Sequence, residues 1–367
     1  MSPSADPISD AAVEAELAVP AKRRVVFVVG SGRSGTSTMS GALQTLGMHV
    51  PQPEVVADET NPKGFGEPQW VVDLHTELLQ RCNVAVSDAR PAAWFEAGKL
   101  SNIEPLRTRL HTWLEEQFEE AESLGAGPEL VVKDPRLAWF LGLWRSAALR
   151  CEAAPAYVTM LRPVTEVVGS KQRYYATRFG EVDRTAAWVN MMLHTERATR
   201  GSQRAFVRYE DLLKDWTIPL FGIGQQFDLF AVKRASANDI RRVHQFIDPD
   251  LRRVQLTWDD VDVPARLRDI AEESWQALNK LADEGGDRPD VHASLDEMRA
   301  AYAAFYEEAE AIASSSSLAA RREGYADGAA GRPAPAMHGA DRIPHSVRAL
   351  VPASARRGLR KALGRER

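Results

Sequence analysis

Short apolar runs alternate along the chain with longer segments of helical periodicity. Four runs rich in β-branched and aromatic residues predict buried strands at 24–28, 129–132, 156–161 and 205–209. Strands that alternate with helices are typical of a parallel sheet covered on both faces. We therefore predict an α/β protein with a central parallel sheet flanked by helices.

Helical patterns fill the intervals between these runs and continue after the last one. Helices are predicted at 39–46, 70–81, 165–179, 264–283 and 290–313. Ser101 and Glu104 have the spacing of a capping box, which would open a further helix that ends at Gly125. The patterns at 264–283 and 290–313 predict a helical C-terminal extension of the sheet domain.

Composition divides the chain into four parts. Residues 1–22 are acidic and proline-punctuated, without the basic start and apolar middle of a signal peptide, and predict a disordered leader. Residues 23–313 form the folded domain, including the helical part 264–313. A serine run followed by an Ala/Gly/Pro stretch predicts a flexible linker at 314–342, and residues 343–367 form a basic tail.

Charge is distributed unevenly over the chain. The net charge is −5, but residues 343–367 carry +6, so the remainder carries −11. An acidic body argues against nucleic-acid binding, which needs a basic face. The two cysteines cannot form a disulfide framework, and no apolar stretch approaches the roughly 20 residues of a membrane span. We therefore expect a cytoplasmic protein.

The basic tail has two interpretations. Ala355, Leu359 and Leu363 interleave with arginines at helical spacing, and a basic amphipathic helix can lie on an anionic membrane. Peripheral contact with the inner membrane face is therefore one expectation. A disordered tail that keeps the acidic body in solution is the other.

A glycine-rich segment, GSGRSGTST at residues 30–38, follows the first predicted strand. Strand, glycine loop and helix N-terminus together form an anion site, because backbone N–H groups converge there and the helix dipole adds positive charge. In a nucleoside-triphosphate loop a lysine would occupy the position of Thr36. The cation here is Arg33, whose guanidinium suits a terminal sulfate or phosphate. The segment predicts a three-layer, P-loop-like fold that binds a phosphorylated nucleotide.

This loop resembles the 5′-phosphosulfate loop of sulfotransferases of bacterial type, which use 3′-phosphoadenosine 5′-phosphosulfate (PAPS). The resemblance implies that the cofactor-binding residues of the loop are Gly32, Arg33, Ser34, Gly35, Thr36 and Ser37. In that family an arginine and a serine eight residues later hold the 3′-phosphate, and Arg162 and Ser170 reproduce the spacing. Tyr209 matches a family tyrosine that packs against adenine, although the same ring could instead fill the core.

The resemblance also implies how the reaction would be catalysed. Sulfuryl transfer is akin to phosphoryl transfer, so positioning and charge stabilisation should dominate, with Arg33 and Lys133 supplying positive charge. The family histidine base is missing, because Asp134 follows Lys133 where that segment should lie. Glu67 and Asp134 are the candidate bases. We favour Glu67, with Asp134 organising the loop and His75 structural.

These residues predict transfer of a sulfuryl group from PAPS to a hydroxyl of a carbohydrate or glycolipid. No metal is implied, since no acidic metal box is present. One alternative is a P-loop kinase of small molecules, which would need ATP and magnesium. Another is a non-catalytic nucleotide-binding adaptor, which would bind adenosine 3′,5′-bisphosphate without turnover. Arg252 and Arg253 could close over the nucleotide.

Overall fold

A parallel sheet forms the centre of the molecule. A computed structural model describes residues 23–58, 61–174, 180–248 and 254–329. The strands are β1 (Arg23–Val29), β2 (Glu129–Lys133), β3 (Ala153–Leu161) and β4 (Gln203–Arg208). Their order is β2-β1-β3-β4, every neighbouring pair is parallel, and Val26 of β1 is in register with Val131 and Ala156. The predicted α/β class, with a parallel sheet flanked by helices, is confirmed.

Helices connect the strands and extend the chain beyond β4. They are α1 (Thr36–Thr45), α2 (Gln69–Cys82), α3 (Pro91–Gly98), α4 (Glu104–Ser123), α5 (Leu141–Arg150), α6 (Val164–Tyr174), α7 (Glu181–Thr199), α8 (Tyr209–Lys214), α9 (Thr217–Gln226), α10 (Phe230–Lys233), α11 (Ala237–Phe246), α12 (Ala265–Lys280) and α13 (Pro289–Ala329). Among the residues that the structure describes, 3₁₀ turns span Lys99–Asn102, Pro135–Phe140 and Trp258–Asp260.

The two faces of the sheet bury different helices, because successive residues of a strand point to opposite sides. Val25, Phe27 and Val29 of β1 pack with α2, α4 and α5, whereas Val26 and Val28 pack with α1 and with α8 to α11. A third cluster joins α6, α7, α12 and α13 beside β3 and β4. Each fully buried aliphatic or aromatic side chain contributes about 1.5–3 kcal/mol, so the carboxyl ends of the strands are held firmly.

The predicted capping box at Ser101 is wrong. Ser101 lies in a 3₁₀ turn, and α4 begins at Glu104 after Ile103, without a side-chain cap. The reason is Pro105. A helix that began after Ser101 would place this proline where its missing N–H breaks an intrahelical bond, whereas a start at Glu104 keeps it in the first turn, where no such bond is needed.

Helix α13 continues past the boundary predicted at residue 313. It includes the serine run and ends at Ala329, inside the predicted linker, and the side chains of residues 314–326 are exposed. Alanine, leucine, glutamate and arginine follow the serines and favour a helix, and no proline intervenes before Pro333. The predicted leader and the tail at 343–367 lie outside the described residues. Within the described ranges, none of the helices combines the length and the apolar character needed to cross a bilayer.

Candidate functional site

The loop between β1 and α1 has a backbone that depends on glycine. Gly30, Arg33 and Gly35 all have positive φ, at 132°, 77° and 94°. A Cβ atom on Gly35 would overlap the ring of Tyr209, so this position excludes any side chain. Arg33 is the costly member, because non-glycine residues rarely adopt this conformation. Its carbonyl accepts a hydrogen bond from Arg162 Nη1 at 3.0 Å, which helps to hold the loop in place.

The N-terminus of α1 is arranged to receive an anion. Gly35 caps the helix without a side-chain hydrogen bond, and no acidic residue lies in the first turn. The first N–H groups of any helix lack intrahelical acceptors, so those of α1 remain available to a ligand. The Ser34 hydroxyl is buried and has no hydrogen-bond partner among the described residues, but Ser34 does not line the space over the helix end. The loop can therefore bind a phosphate or sulfate group.

A cleft of about 900 Å³, which we call the loop cleft, opens over this helix end. It is lined by Gly32, Arg33, Gly35, Thr36, Ser37, Thr38, Asn61, Pro62, Lys63, Gly64, Phe65, Glu67, Lys133, Pro135, Arg162, Ser170, Tyr209, Phe246 and Val254. Every strand ends near it, because the carboxyl ends of parallel strands share one edge of a sheet. Four lining side chains are cationic and one is a carboxylate, which favours an anionic ligand.

Arg33 and Ser170 meet on the wall of the loop cleft. Arg33 Nε donates to Ser170 Oγ at 3.1 Å. Arg162 lies beside them, but it donates from Nε to Glu166 at 2.9 Å and from Nη2 to the carbonyl of Val254 at 3.1 Å. The structure brings the three predicted phosphate ligands to one cleft. Arg162 also holds the loop, because three of its N–H groups bond to the protein.

Tyr209 supports the loop from below. It is the first residue of α8, is 5 % exposed, and packs its ring against Gly35. The Arg162 guanidinium lies 5.1 Å from the ring centre, within the range of a cation–π contact. Tyr209 was predicted as the last residue of a strand, but β4 ends at Arg208.

Lys133 and Glu67 form a buried ion pair at the floor of the loop cleft. The Lys133 ammonium also donates to Ser37 Oγ and to the carbonyl of Phe65, each at 3.2 Å. The side chains are 2 % and 11 % exposed. Lys133 comes from the end of β2 and Glu67 from the segment before α2, so the pair ties this segment to the glycine loop.

Asp134 faces away from the loop cleft, into the protein. It accepts hydrogen bonds from His75 Nδ1 at 3.0 Å and from the Arg136 backbone N–H at 2.9 Å. Trp144 Nε1 donates to His75 Nε2 at 2.8 Å, so Nε2 is unprotonated and His75 carries its proton on Nδ1. Burial alone would raise the pKa of Asp134, but the bond from His75 and the charge of Arg136 outweigh it and hold that pKa below its usual value. Asp134 thus organises the turn that follows β2.

A second cleft, which we call the side cleft, joins the loop cleft at Gly32, Phe65, Glu67 and Pro135. Its space, which is open to solvent, is about 1270 Å³, and its further lining includes Val86, Lys171, Arg184 and Met191. Glu67 lies at the junction and borders both clefts. The two clefts can each hold one ligand, and both ligands can reach the carboxylate of Glu67.

Some residues of these clefts were not predicted. Phe246 comes from the end of α11 and covers the loop cleft, where its carbonyl accepts a hydrogen bond from Lys63. Nothing local in its sequence indicated this. Lys171 follows Ser170 on α6, and this adjacency was the signal that could have placed it in the site. Arg252 and Arg253 lie outside the described residues.

One group of metal-ligating side chains lies away from both clefts. The His111, Glu115 and Cys151 ligand atoms are all within 4.8 Å of one another. Arg23 Nη1 lies 2.6 Å from the Glu115 carboxylate and competes with a cation there. Burial and the charge of Glu115 raise the pKa of the Cys151 thiol to about 12, which disfavours the thiolate that a metal needs. The group fits a metal ion poorly.

Comparisons with known proteins give little. No family model matches the chain, and no curated protein matches it. Among solved structures it is similar to a sulfotransferase domain from the curacin biosynthetic pathway, at 16 % identity and a TM-score of 0.37. The match covers 68 % of this chain and 96 % of that one. Similarity this low does not decide activity.

Proposed function

We propose that this protein transfers a sulfuryl group from PAPS to a hydroxyl of a carbohydrate or glycolipid. The observation that carries the proposal is the junction of the two clefts. An uncapped helix N-terminus with Arg33 lies on one side, and the buried Lys133–Glu67 pair lies where the clefts meet. A nucleotide with a terminal sulfate fits the first feature, and proton removal from a hydroxyl fits the second.

The loop cleft would hold the donor. N–H groups at the start of α1 and the hydroxyls of Thr36 and Ser37 suit the 5′-phosphosulfate. Arg33 suits the terminal sulfate, and Ser170 and Arg162 suit the 3′-phosphate. Arg162 has five N–H groups and spends three on protein partners, so two can bind a phosphate.

The residues at the junction would carry the chemistry. PAPS, when bound, supplies a sulfuryl group on a good leaving group. Glu67 accepts the proton of the acceptor hydroxyl. At the same time the hydroxyl oxygen forms a bond to sulfur, and the bond between sulfur and the phosphate oxygen of PAPS breaks. Lys133 lies beside Ser37 at the helix start, where it can offset the negative charge left on adenosine 3′,5′-bisphosphate. Asp134 does not border either cleft, so we assign it a positioning role.

Calorimetric titration with adenosine 3′,5′-bisphosphate, beside ATP–magnesium, tests the donor site. We expect the bisphosphate to bind preferentially, and Arg33→Ala to weaken it about 10- to 100-fold, because charge-assisted hydrogen bonds are lost. Lys99→Ala is a matched control, since Lys99 is exposed and pairs with Glu96 on α3, away from the clefts. Preference for ATP–magnesium would support a kinase instead.

A transfer assay separates an enzyme from a non-catalytic adaptor. Glu67→Gln keeps the shape of the side chain but removes the proton acceptor, so we expect turnover to fall at least 100-fold while the bisphosphate still binds. Binding without turnover in the unaltered protein, across carbohydrate and glycolipid acceptors, would favour the adaptor.

A further inference from the structure

Lys171 is a buried cation without a carboxylate partner. It is 7 % exposed and donates to Ser31 Oγ at 3.1 Å and to Ser87 Oγ at 3.2 Å. No acid among the described residues pairs with it. Burial, with a contribution from the nearby charge of Arg184, lowers the pKa of Lys171 to about 8. Two of the three N–H groups of this ammonium bond to the serine hydroxyls, so the third remains to bind an anionic group.

The acids around the side cleft are already engaged. Glu67 pairs with Lys133, and Asp183 accepts the backbone N–H of Gly180 at 3.2 Å at the start of α7. Arg136 and Arg184 are the cleft's other cations, and Arg136 pairs with Asp134 at 3.1 Å. The positive charge of Lys171 is therefore left without a buried counterion, which is costly unless a ligand supplies one.

The rest of the side cleft is largely apolar. Phe65, Val86, Pro135 and Met191 contribute to its lining. Val86 is 40 % exposed, which is high for valine in a folded domain, whereas Met191 is buried. An apolar wall beside Lys171, a buried cation that no described carboxylate pairs with, suits a ligand that combines a hydrocarbon part with an anion.

We propose that the side cleft binds an amphipathic acceptor that bears an anionic group, and that Lys171 pairs with this group. The inference rests on the proposed sulfuryl transfer and narrows its acceptor. A carboxylate or phosphate would meet Lys171, an apolar chain would lie along Val86 and Met191, and the hydroxyl would reach Glu67 at the junction.

Octyl β-D-glucuronide and octyl β-D-glucoside are matched probes, since they differ only at C6, which is a carboxylate in the first and a hydroxymethyl group in the second. We expect the protein saturated with adenosine 3′,5′-bisphosphate to bind the glucuronide at least tenfold more tightly by calorimetry. In a transfer assay with labelled PAPS, kcat/KM should show the same preference. Methyl β-D-glucuronide should bind more than tenfold more weakly than the octyl compound, because its hydrocarbon part is missing.

Lys171→Met removes the charge and keeps most of the volume, so it should abolish the preference for the glucuronide. The affinity for the bisphosphate should stay within threefold, because Lys171 does not line the loop cleft. The exposed Lys99→Met is the control. The comparison of the glucuronide with the glucoside needs no variant, so the proposal can still be tested if Lys171→Met fails to fold.

The outcomes separate the two proposals. If the bisphosphate does not bind, the proposed function fails. If it binds but the glucuronide and the glucoside bind equally, or neither binds, only the inference about the acceptor is wrong. Unchanged preference in a folded Lys171→Met protein would also overturn it.

Discussion

Replacing Lys133 with methionine should lower the free energy of unfolding by about 3–5 kcal/mol. Removal of one partner from a buried ion pair leaves the other charge uncompensated, and losses of this size are typical. The side chains of Lys133 and Glu67 are only 2 % and 11 % exposed, so water can replace the ammonium only in part. The same change also strands the carbonyl of Phe65, which accepts from Lys133 at 3.2 Å.

Glu67→Gln alone should cost less, about 1–3 kcal/mol, because an amide oxygen can still accept from Lys133. The double variant should be more stable than Lys133→Met alone, since neither charge remains buried without a partner. Urea denaturation of the four proteins measures the coupling, which we expect to be about 2 kcal/mol or more.

A matched change in an exposed pair provides the control. Lys99 and Glu96 are 2.8 Å apart, with side chains 68 % and 44 % exposed, and such pairs contribute about 0–1 kcal/mol. Lys99→Met should therefore change stability little. If the effects of Lys133→Met and Glu67→Gln simply add in the double variant, the two groups are not a buried pair and the reasoning is refuted.

Three further outcomes are expected. Gly35→Ala should destabilise the protein by about 1–3 kcal/mol in thermal denaturation and remove bisphosphate binding, because the new methyl group meets the ring of Tyr209. Gly125 also has a positive φ, of 73°, but open space surrounds it, so Gly125→Ala should cost only about 1 kcal/mol. Equal losses in the two variants would contradict the argument from packing against Tyr209. Burial, with a smaller contribution from Arg299, lowers the pKa of His194 to about 3, so the unfolded chain takes up a proton before the folded one and stability should fall as the pH drops from about 6.5 towards 3. Urea titrations should show that the free energy of unfolding falls less between pH 7 and pH 5 in His194→Phe than in the unaltered protein. An equal fall in both proteins would argue against the role of His194. Deletion of residues 343–367 should abolish co-sedimentation with anionic vesicles if the tail binds a membrane, and equal partitioning with and without it removes that hypothesis.

Strand positions and the glycine loop could be predicted because they depend on local pattern. Apolar runs bounded by glycine predict strands wherever they occur, and residues 24–28 form most of β1. The loop could be recognised because the conformation needed at Gly35 is intrinsic to glycine. That Arg33, Lys133, Arg162 and Tyr209 lie close together also followed from the sequence, because each comes near the end of a parallel strand.

The partner of each side chain was decided only by the tertiary structure. The sequence left both Glu67 and Asp134 as candidate bases, with Glu67 favoured, and only packing turns Asp134 towards His75 and leaves Glu67 at the junction of two clefts. The charge of Lys171 was visible in the sequence, but its burial beside Ser31 and Ser87 was not. Burial and pairing depend on residues far apart in the chain, and these contacts exist only once the helices pack on the sheet.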